Sequence, residues 1–459
     1  MRKAWDWWNS VSLIWRIVVG MVIGAVIGVA AGPGLTVITL LGTLFVAALR
    51  AVAPILVFFL VISALANAKT AGSMRTIIVL YLVSTFLAAF IAVLASFIFP
   101  LDIVLADPPE TATAAPEGIG AVLTNLLVNV FSNPVASLAN GNFLGILAWA
   151  VVLGVALRAA KNSTKNVFSD VSDAVTKVVR WVIAFAPFGI LGLVYTAVSE
   201  NGLDIFINYG QLILLLVGVM FVVAFICNPI IVAICTHRNP YPLVWRCLKD
   251  SAITAFFTSS SAANIPINME LCRKLGLDKD AYSVSIPLGA TINMAGAAVT
   301  ISVMTMATVH LLGIQVDFGT ALVLSLLSAI GACGASGVAG GSLLLIPMAC
   351  ALFGIGGDVA MQVVGVGFII GVIQDSCETA LNSASDALFT ATAEYRLRRK
   401  QGIPFEMGKY ATVPERELLE DALADGNPMP AEAADDGNPA LAGTAASNAK
   451  DADKPATRE

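Results

Sequence analysis

Charge is scarce in this chain, and that scarcity excludes most soluble folds. Only 12% of the 459 residues are Asp, Glu, Lys or Arg, while 58% are hydrophobic. No water-soluble domain of this size needs so much apolar side chain, so the composition is that of a polytopic membrane protein. Histidine is nearly absent: His237 and His310 both fall at the ends of apolar segments, which argues against an imidazole-built metal or catalytic centre. The seven cysteines stand singly, with no C-x-x-C and no metal-ligand spacing, and read as small apolar core residues. A cleavable leader is not expected either. The opening M-R-K-A-W-D-W-W-N-S is basic and aromatic and runs into an apolar segment without a cleavage signal, so Trp5, Trp7 and Trp8 read as an interfacial anchor.

The few basic residues are unevenly placed. They gather at Arg2 to Arg16, at Lys69 and Arg75, from Arg158 to Arg180, from Arg238 to Lys249, from Arg273 to Lys279, and from Arg396 to Lys409; Arg50 alone stands apart outside the tail. Between these clusters lie loops with acid but no base: L-D-I-V-L-A-D-P-P-E-T, S-E-N-G-L-D and H-L-L-G-I-Q-V-D. The positive-inside rule puts the clusters in the cytoplasm and the acidic loops outside. Segments near 13–31, 36–66, 76–99, 120–157 (broken by Asn133-Pro134), 178–199 and 207–236 then alternate.

Alternation fails twice. Residues 250–271 carry F-F-T-S-S-S-A-A-N-I-P and have basic flanks on both sides, so the segment must enter and return, as a re-entrant hairpin turning near the serines. Residues 319–353 hold G-A-C-G-A-S-G-V-A-G-G-S, and a hairpin entering from outside is needed to keep R-L-R-R-K in the cytoplasm. Irregular backbone at membrane depth requires a protein or water-lined setting. Two hairpin–helix units inserted in opposite directions are the mark of a secondary transporter; the other reading is that glycine and serine merely permit tight helix packing. From about Gln401 the chain is rich in Ala, Asp, Glu, Asn and Pro, a disordered tail.

The helix after the first hairpin reads S-I-P-L-G-A-T-I-N-M-A-G, placing Thr291 and Asn293 in mid-membrane. An unwound turn there would free carbonyl oxygens suited to a hard cation such as Na⁺; alternatively, Asn293 bonds a neighbouring helix. The helix after the second reads G-V-I-Q-D-S-C-E-T-A-L-N-S-A-S-D. Asp375, Thr379, Asn382 and Asp386 recur at spacings of four, three and four, one polar stripe with Glu378 beside it. Each intramembrane carboxylate costs roughly 2–3 kcal/mol, and no Lys or Arg lies within the helix before its basic end. The countercharge is therefore mobile: a cation, a substrate ammonium or a proton.

These four segments, T-S-S-S-A-A-N-I-P, I-P-L-G-A-T-I-N-M-A-G, G-A-S-G-V-A-G-G and D-S-C-E-T-A-L-N-S-A-S-D, resemble the signatures of the dicarboxylate/amino acid:cation symporters, the glutamate-transporter family, and within it the sodium:serine/threonine branch. The resemblance covers roughly residues 10 to 395. It implies an all-α polytopic membrane protein with eight transmembrane helices, two re-entrant helical hairpins and inverted repeats. The membrane domain would span 1–400, with scaffold helices at about 10–66 and 120–199, a transport part at about 76–100 and 207–395, and a cytoplasmic tail at 401–459. It further implies a homotrimer in lipid at the bacterial inner membrane, both termini cytoplasmic and no nucleic-acid partner. The activity implied is sodium-coupled import of serine and threonine by an elevator-like movement, with Na⁺ as the co-transported ion.

By position, the resemblance implies that Asp375 holds the substrate ammonium and that Thr379 and Asn382 meet its backbone groups. Ser259 (through its carbonyl), Ser260 and Ser261 would approach from the first hairpin, and Val338 and Gly340 from the second. One sodium site would use carbonyls of Gly289, Asn293 and Asn382 with the Asp386 carboxylate. Another would use carbonyls near Thr291 and around Ala332, Cys333 and Ala335.

Three positions depart from the family. Glu378 stands where dicarboxylate carriers keep an arginine, and it would repel a second substrate carboxylate, favouring small neutral amino acids. Ala295 replaces an aspartate, although Tyr81, Ser84 and Thr85 resemble the rest of a third sodium site. Ser259 stands where many bacterial relatives carry arginine. Rival readings are a carrier of acidic or broader neutral amino acids, a proton-coupled carrier, and a passive channel gated by the same hairpins. A membrane enzyme is disfavoured, since no histidine or lysine base accompanies the serines.

Overall fold

In hydrocarbon a backbone must satisfy its own N–H and C=O groups, and a chain without edge-closing strands does so as helices. The computed structural model describes residues 11, 13–67, 74–105, 124, 127, 128, 131–335 and 340–411, and among these there is no strand. In chain order the helices are α1 (Leu13–Ala31), α2 (Thr36–Asn67), α3 (Met74–Ile98), α4 (Pro134–Asn140), α5 (Phe143–Ala156), α6 (Asn162–Ala184), α7 (Ala186–Asn201) and α8 (Ile205–Thr236). Then come α9 (241–258), α10 (Ile265–Lys274), α11 (Lys279–Ile292), α12 (Ala295–Leu311), α13 (Phe318–Ala332), α14 (Ile346–Ala351) and α15 (Gly357–Gln401). Among the described residues, α2, α3, α8, α15 and the pair α11–α12 are long and apolar enough to cross a membrane; α6 with α7, bent by 51°, would make a sixth.

The breaks have local causes. Asn133 caps α4 through its Oδ1, which accepts from the N–H groups of Val135 (2.9 Å) and Ala136 (3.1 Å). The segment is interrupted at the expected Asn133-Pro134, where residues 131–133 are non-helical, and again at Gly141, whose left-handed φ of 66° ends α4. The part of the segment near 120 lies mostly outside the described residues. The span expected at 178–199 begins much earlier: α6 starts at Asn162, and its chain bends at Phe185 because Pro187 cannot continue the preceding hydrogen-bond ladder. In α8, Pro229 is absorbed by a π turn at Val223–Cys227.

Close backbone approach organises the N-terminal helices. Gly20, Gly24 and Gly28 recur every fourth residue on α1 and face α7; a Cβ at Gly20 or Gly24 would collide with the carbonyls of Pro187 or Leu191, and one at Gly28 would fall 3.0 Å from Val198. Small residues at this spacing let two membrane helices pack backbone to backbone. Gly42 of α2 and Gly192 of α7 meet in the same way. The Tyr195 hydroxyl then fastens the α1–α2 turn, donating to the Gly32 carbonyl (2.8 Å) and accepting from Leu35 N–H (2.9 Å).

The C-terminal half contains two helix–turn–helix units. α9 and α10 are joined through 259–264, where Ser259 adopts a left-handed φ of 45°. α13 reaches 332, and the chain returns through a short 3₁₀ turn at Leu343–Leu345 into α14. Between them α11 and α12 are separated by the non-helical Asn293 and Met294, the unwound turn anticipated from N-M-A-G. Residues 402–409, expected to belong to the tail, fold back on the body instead: Phe405 stacks on Tyr395 at 4.9 Å, and Arg238 and Arg246 donate to the carbonyls of Phe405 and Gly408 at 3.1 Å. The remainder of the expected tail lies outside the described residues.

Candidate substrate and ion site

α15 carries the polar stripe, and each unusual element of the C-terminal half leads to it. Spacings of three and four put Asp375, Glu378, Thr379, Asn382 and Asp386 along one side of the helix, and all five are buried. Among the described residues the partners of the Asp375, Glu378 and Asp386 side chains are amides and hydroxyls, and Asn382 also donates to the Met294 sulfur at 3.3 Å.

The tips of the two helix–turn–helix units meet at the N-terminal end of the stripe. Gly340 N–H donates to Asp375 Oδ1 at 3.0 Å, from a backbone with φ 71° and with Phe368 close enough to exclude a Cβ. Ser259 Oγ lies 3.1 Å from Ser376 Oγ. Ser259, Gly340 and Asp375 share a small cavity of about 60 Å³, closed on its other side by Leu13, Ile17, Ile183 and Ala186. Ser260 and Ser261 are in the same turn: Ser260 Oγ accepts from Ala263 N–H (3.3 Å), and Ser261 is buried. Val338 lies outside the described residues. A larger cavity, about 550 Å³ between α8, α9 and α15, is lined by Phe221, Phe225, Trp245 and other mostly apolar groups, with Lys249 among them; it holds no carboxylate and does not belong to this chemistry.

One turn along, Glu378 accepts three hydrogen bonds on Oε2, from Thr300 Oγ1 (2.7 Å), Ser342 Oγ (2.8 Å) and Gln374 Nε2 (2.5 Å). None of the three stands out in the sequence. Gln374 was legible in principle, four residues before Glu378 on the same helix face, whereas Thr300 and Ser342 arrive from other elements and leave no local signal.

Toward the C-terminal end, the unwound turn between α11 and α12 packs against the stripe. Asn293 Nδ2 donates to Asp386 Oδ1 (2.8 Å), Ser385 Oγ (2.7 Å) and the Asn382 carbonyl (3.2 Å), while its buried Oδ1 has no partner. Asn382 Oδ1 accepts from Gly296 N–H at 2.7 Å. Gly289 sits where a Cβ would fall 2.5 Å from Asp386 Oδ1, yet its carbonyl accepts the helical bond from Asn293 N–H (2.9 Å). Gly289, Asn293, Asn382 and Asp386 are thus brought together. The second proposed ion set also converges: Cys333 Sγ lies 3.4 Å from the Ile292 carbonyl beside Thr291, and Ala332 and Ala335 occupy the same turn. Thr291 Oγ1 itself donates to the Leu288 carbonyl at 2.7 Å.

Below Asp386, the Tyr81 hydroxyl lies 3.2 Å from the Ser285 and Asp386 carbonyls and from Thr390 Oγ1. Ser84 Oγ donates to Asn228 Oδ1 (2.8 Å), and Thr85 Oγ1 is buried without a partner. Asp317, at the exposed start of α13, has its carboxyl held below the usual aspartate range by hydrogen bonds from the Thr320 hydroxyl and N–H and from Gly319 N–H.

A membrane protein in which a broken helix and the turns of two helix–turn–helix units converge on buried carboxylates has the arrangement of a carrier. The chain belongs to the sodium:dicarboxylate symporter family, which it matches over residues 13–395. Among its relatives are serine/threonine transporters SstT of Streptococcus agalactiae, 57% identical over 396 residues covering 86% of this chain and 98% of the relative. The SstT of Streptococcus thermophilus is 56% identical over the same coverage. As a member of a symporter family, the chain is a transporter and not an enzyme.

Proposed function

We propose that this protein imports serine and threonine across the bacterial inner membrane, driven by the sodium gradient. The observation that carries the reading is the convergence on α15: Asp375 between the two tips, and Asp386 with Asn293 at the unwound turn. Asp375 would hold the substrate ammonium. The tip residues Ser259, Ser260, Ser261, Val338 and Gly340, with Thr379 and Asn382, would meet its backbone groups. Na⁺ travels as a co-substrate on oxygens of Gly289, Asn293, Asn382 and Asp386, and on those near Thr291, Ala332, Cys333 and Ala335. Glu378, in place of a cationic side chain, disfavours a dicarboxylate and supports a neutral substrate, in keeping with the serine/threonine transporters among the relatives.

In this reading the spans would be eight: α1, α2, α3, α4 with α5, α6 with α7, α8, α11 with α12, and α15, of which α2, α3, α8, α11–α12 and α15 are by themselves long and apolar enough to cross. The two helix–turn–helix units would be hairpins that enter and return, both termini lying in the cytoplasm. α1, α2 and α4–α7 would form the scaffold of a homotrimer, past which the remaining elements slide.

Uptake of labelled serine by proteoliposomes tests this. Accumulation above the outside concentration should require an inward sodium gradient and be competed by threonine far better than by aspartate. Equilibration without sodium dependence would instead indicate a passive channel.

A further inference from the structure

Two turns of π-helix, in different helices, line the large cavity between α8, α9 and α15. One is Val223–Cys227 of α8, which contributes Ala224 and Phe225; the other is Leu248–Ala252 of α9, which contributes Leu248, Lys249 and Ala252. The α8 turn has Pro229 just after it, but no proline follows within α9, so its π turn has no such local cause. Single π turns inside α-helices recur at functional sites. Here they border a slot of about 550 Å³, with a buried floor at Met220, Ala252 and Leu381 and an exposed rim at Phe221, Trp245 and Phe257. Its walls brace one another. Phe221 stacks on Phe225 at 5.7 Å, Phe225 meets Trp245 at 5.4 Å, and the Tyr241 hydroxyl donates to the Phe225 carbonyl at 3.2 Å, joining α9 to the α8 turn.

A slot of this volume has the size of a small-ligand pocket and is too small to seat a partner helix, about 10–12 Å across. The one charged group lining it is Lys249. Lys249 makes no ion pair among the described residues, and the neighbouring Asp250 lies instead against Arg246 at 3.7 Å. Lys249 stands about 12 Å of helix from the start of α9 at Tyr241, so its long stem can carry the ammonium toward the basic, headgroup end of the hairpin. An apolar slot in a membrane carrier with a single cation near the headgroups fits an acyl chain and an anionic head. We propose that an anionic phospholipid is held there, its acyl chain against Phe221, Phe225 and Phe257 and its phosphate at Lys249. The slot also reaches Cys377, Ala380 and Leu381, which at about 100° per residue lie on the face of α15 opposite the polar stripe. The lipid thereby ties α8 and the first helix–turn–helix unit to the back of the helix that carries the site.

Photolabelling of the full-length protein in proteoliposomes tests the proposal. Phosphatidylglycerol with a diazirine in its acyl chain should label the slot segments, 220–225, 245–257 and 377–381, more than phosphatidylcholine with the same chain. The expected preference is about fivefold, the factor for one lysine beside an anionic headgroup. In Lys249→Gln the preference should fall toward one. Ala380→Phe and Ala224→Phe, which fill the slot from α15 and from α8, should each remove labelling of these segments while the other lipid-facing helices keep theirs. Should either bulky variant fail to fold, Lys249→Gln and the comparison of headgroups decide alone. Equal labelling of the slot by the two lipids, or an unchanged preference in Lys249→Gln, overturns the proposal. Crosslinks between copies of the chain from Phe257→Cys, in place of lipid labelling, would overturn it in favour of a neighbouring chain as the occupant.

Discussion

At the scale of single residues, the ion site is governed by what is left out. Gly289 occupies a helical position where alanine would be the better helix former, yet a Cβ there would lie 2.5 Å from Asp386 Oδ1 and 2.9 Å from the Tyr81 hydroxyl. The absent methyl lets the Asp386 carboxylate approach the α11 backbone, with Asn293 donating from the other side. Gly289→Ala should therefore overpack the site by about 1–3 kcal/mol and displace Asp386. The expected outcome is a lower melting temperature together with a severalfold rise in the sodium concentration for half-maximal uptake. Normal sodium activation in a stably folded variant would mean that Asp386 does not depend on this contact.

At the scale of elements, buried polar side chains tie each helix–turn–helix unit to α15. Asn264 Nδ2 donates to Ser251 Oγ and Ser383 Oγ at 2.8 Å, and Asn268 Nδ2 to the Ser383 carbonyl at 2.8 Å, so the turn and second arm of the first unit hang on one serine of α15, with the first arm joined through Ser251. The helices that carry these contacts were legible in the sequence because hydropathy and turn residues are local signals. The unwound N-M-A-G turn and the stripe from Asp375 to Asp386 were legible for the same reason, as helix-breaking composition and helical spacing. What the sequence could not display was partnership across elements: Thr300 and Ser342 on Glu378, Asn264 on Ser383, or the return of Phe405 onto Tyr395 in a stretch whose composition reads as tail. Nor did composition reveal that α6 extends back to Asn162, since that stretch is polar and amphipathic and carries no membrane signal.

The second unit has its own local anchor. Asp317 caps α13 through bonds to Gly319 N–H (2.9 Å), Thr320 N–H (3.1 Å) and Thr320 Oγ1 (2.6 Å). Its carboxyl is held below the ordinary value by these donors, the Thr320 hydroxyl first. The folded-state pKa thus lies below the unfolded one, so the cap stabilises in full above about pH 4 and its contribution is lost as pH falls through the folded value. Thermal unfolding in detergent should show Asp317→Ala melting below wild type at neutral pH, with the gap closing in acid. A gap independent of pH would assign the loss to packing and not to the ionised cap.

At the scale of the whole molecule, two kinds of packing meet. α1, α2 and α7 are joined by glycines at backbone distance, an arrangement with no room to slide. The contact between α1 and α15 is different, since the small cavity that holds Ser259, Gly340 and Asp375 is walled on the other side by Leu13, Ile17, Ile183 and Ala186. Smooth apolar side chains facing a polar site make no hydrogen bonds that a sliding movement would have to break. If α15 moves past α1 during transport, a covalent tie between them should arrest it. Ile17→Cys combined with Val372→Cys, two residues on opposite walls of this cavity, is the pair to use, in a background with the seven native cysteines replaced. Crosslinking should abolish sodium-driven uptake and leave sodium-dependent substrate binding measurable, and reduction or chelation of the crosslinker should restore uptake. Uptake that persists at full crosslinking would show that the two walls stay together through the cycle, so that access to Asp375 must change by local opening of the two tips alone.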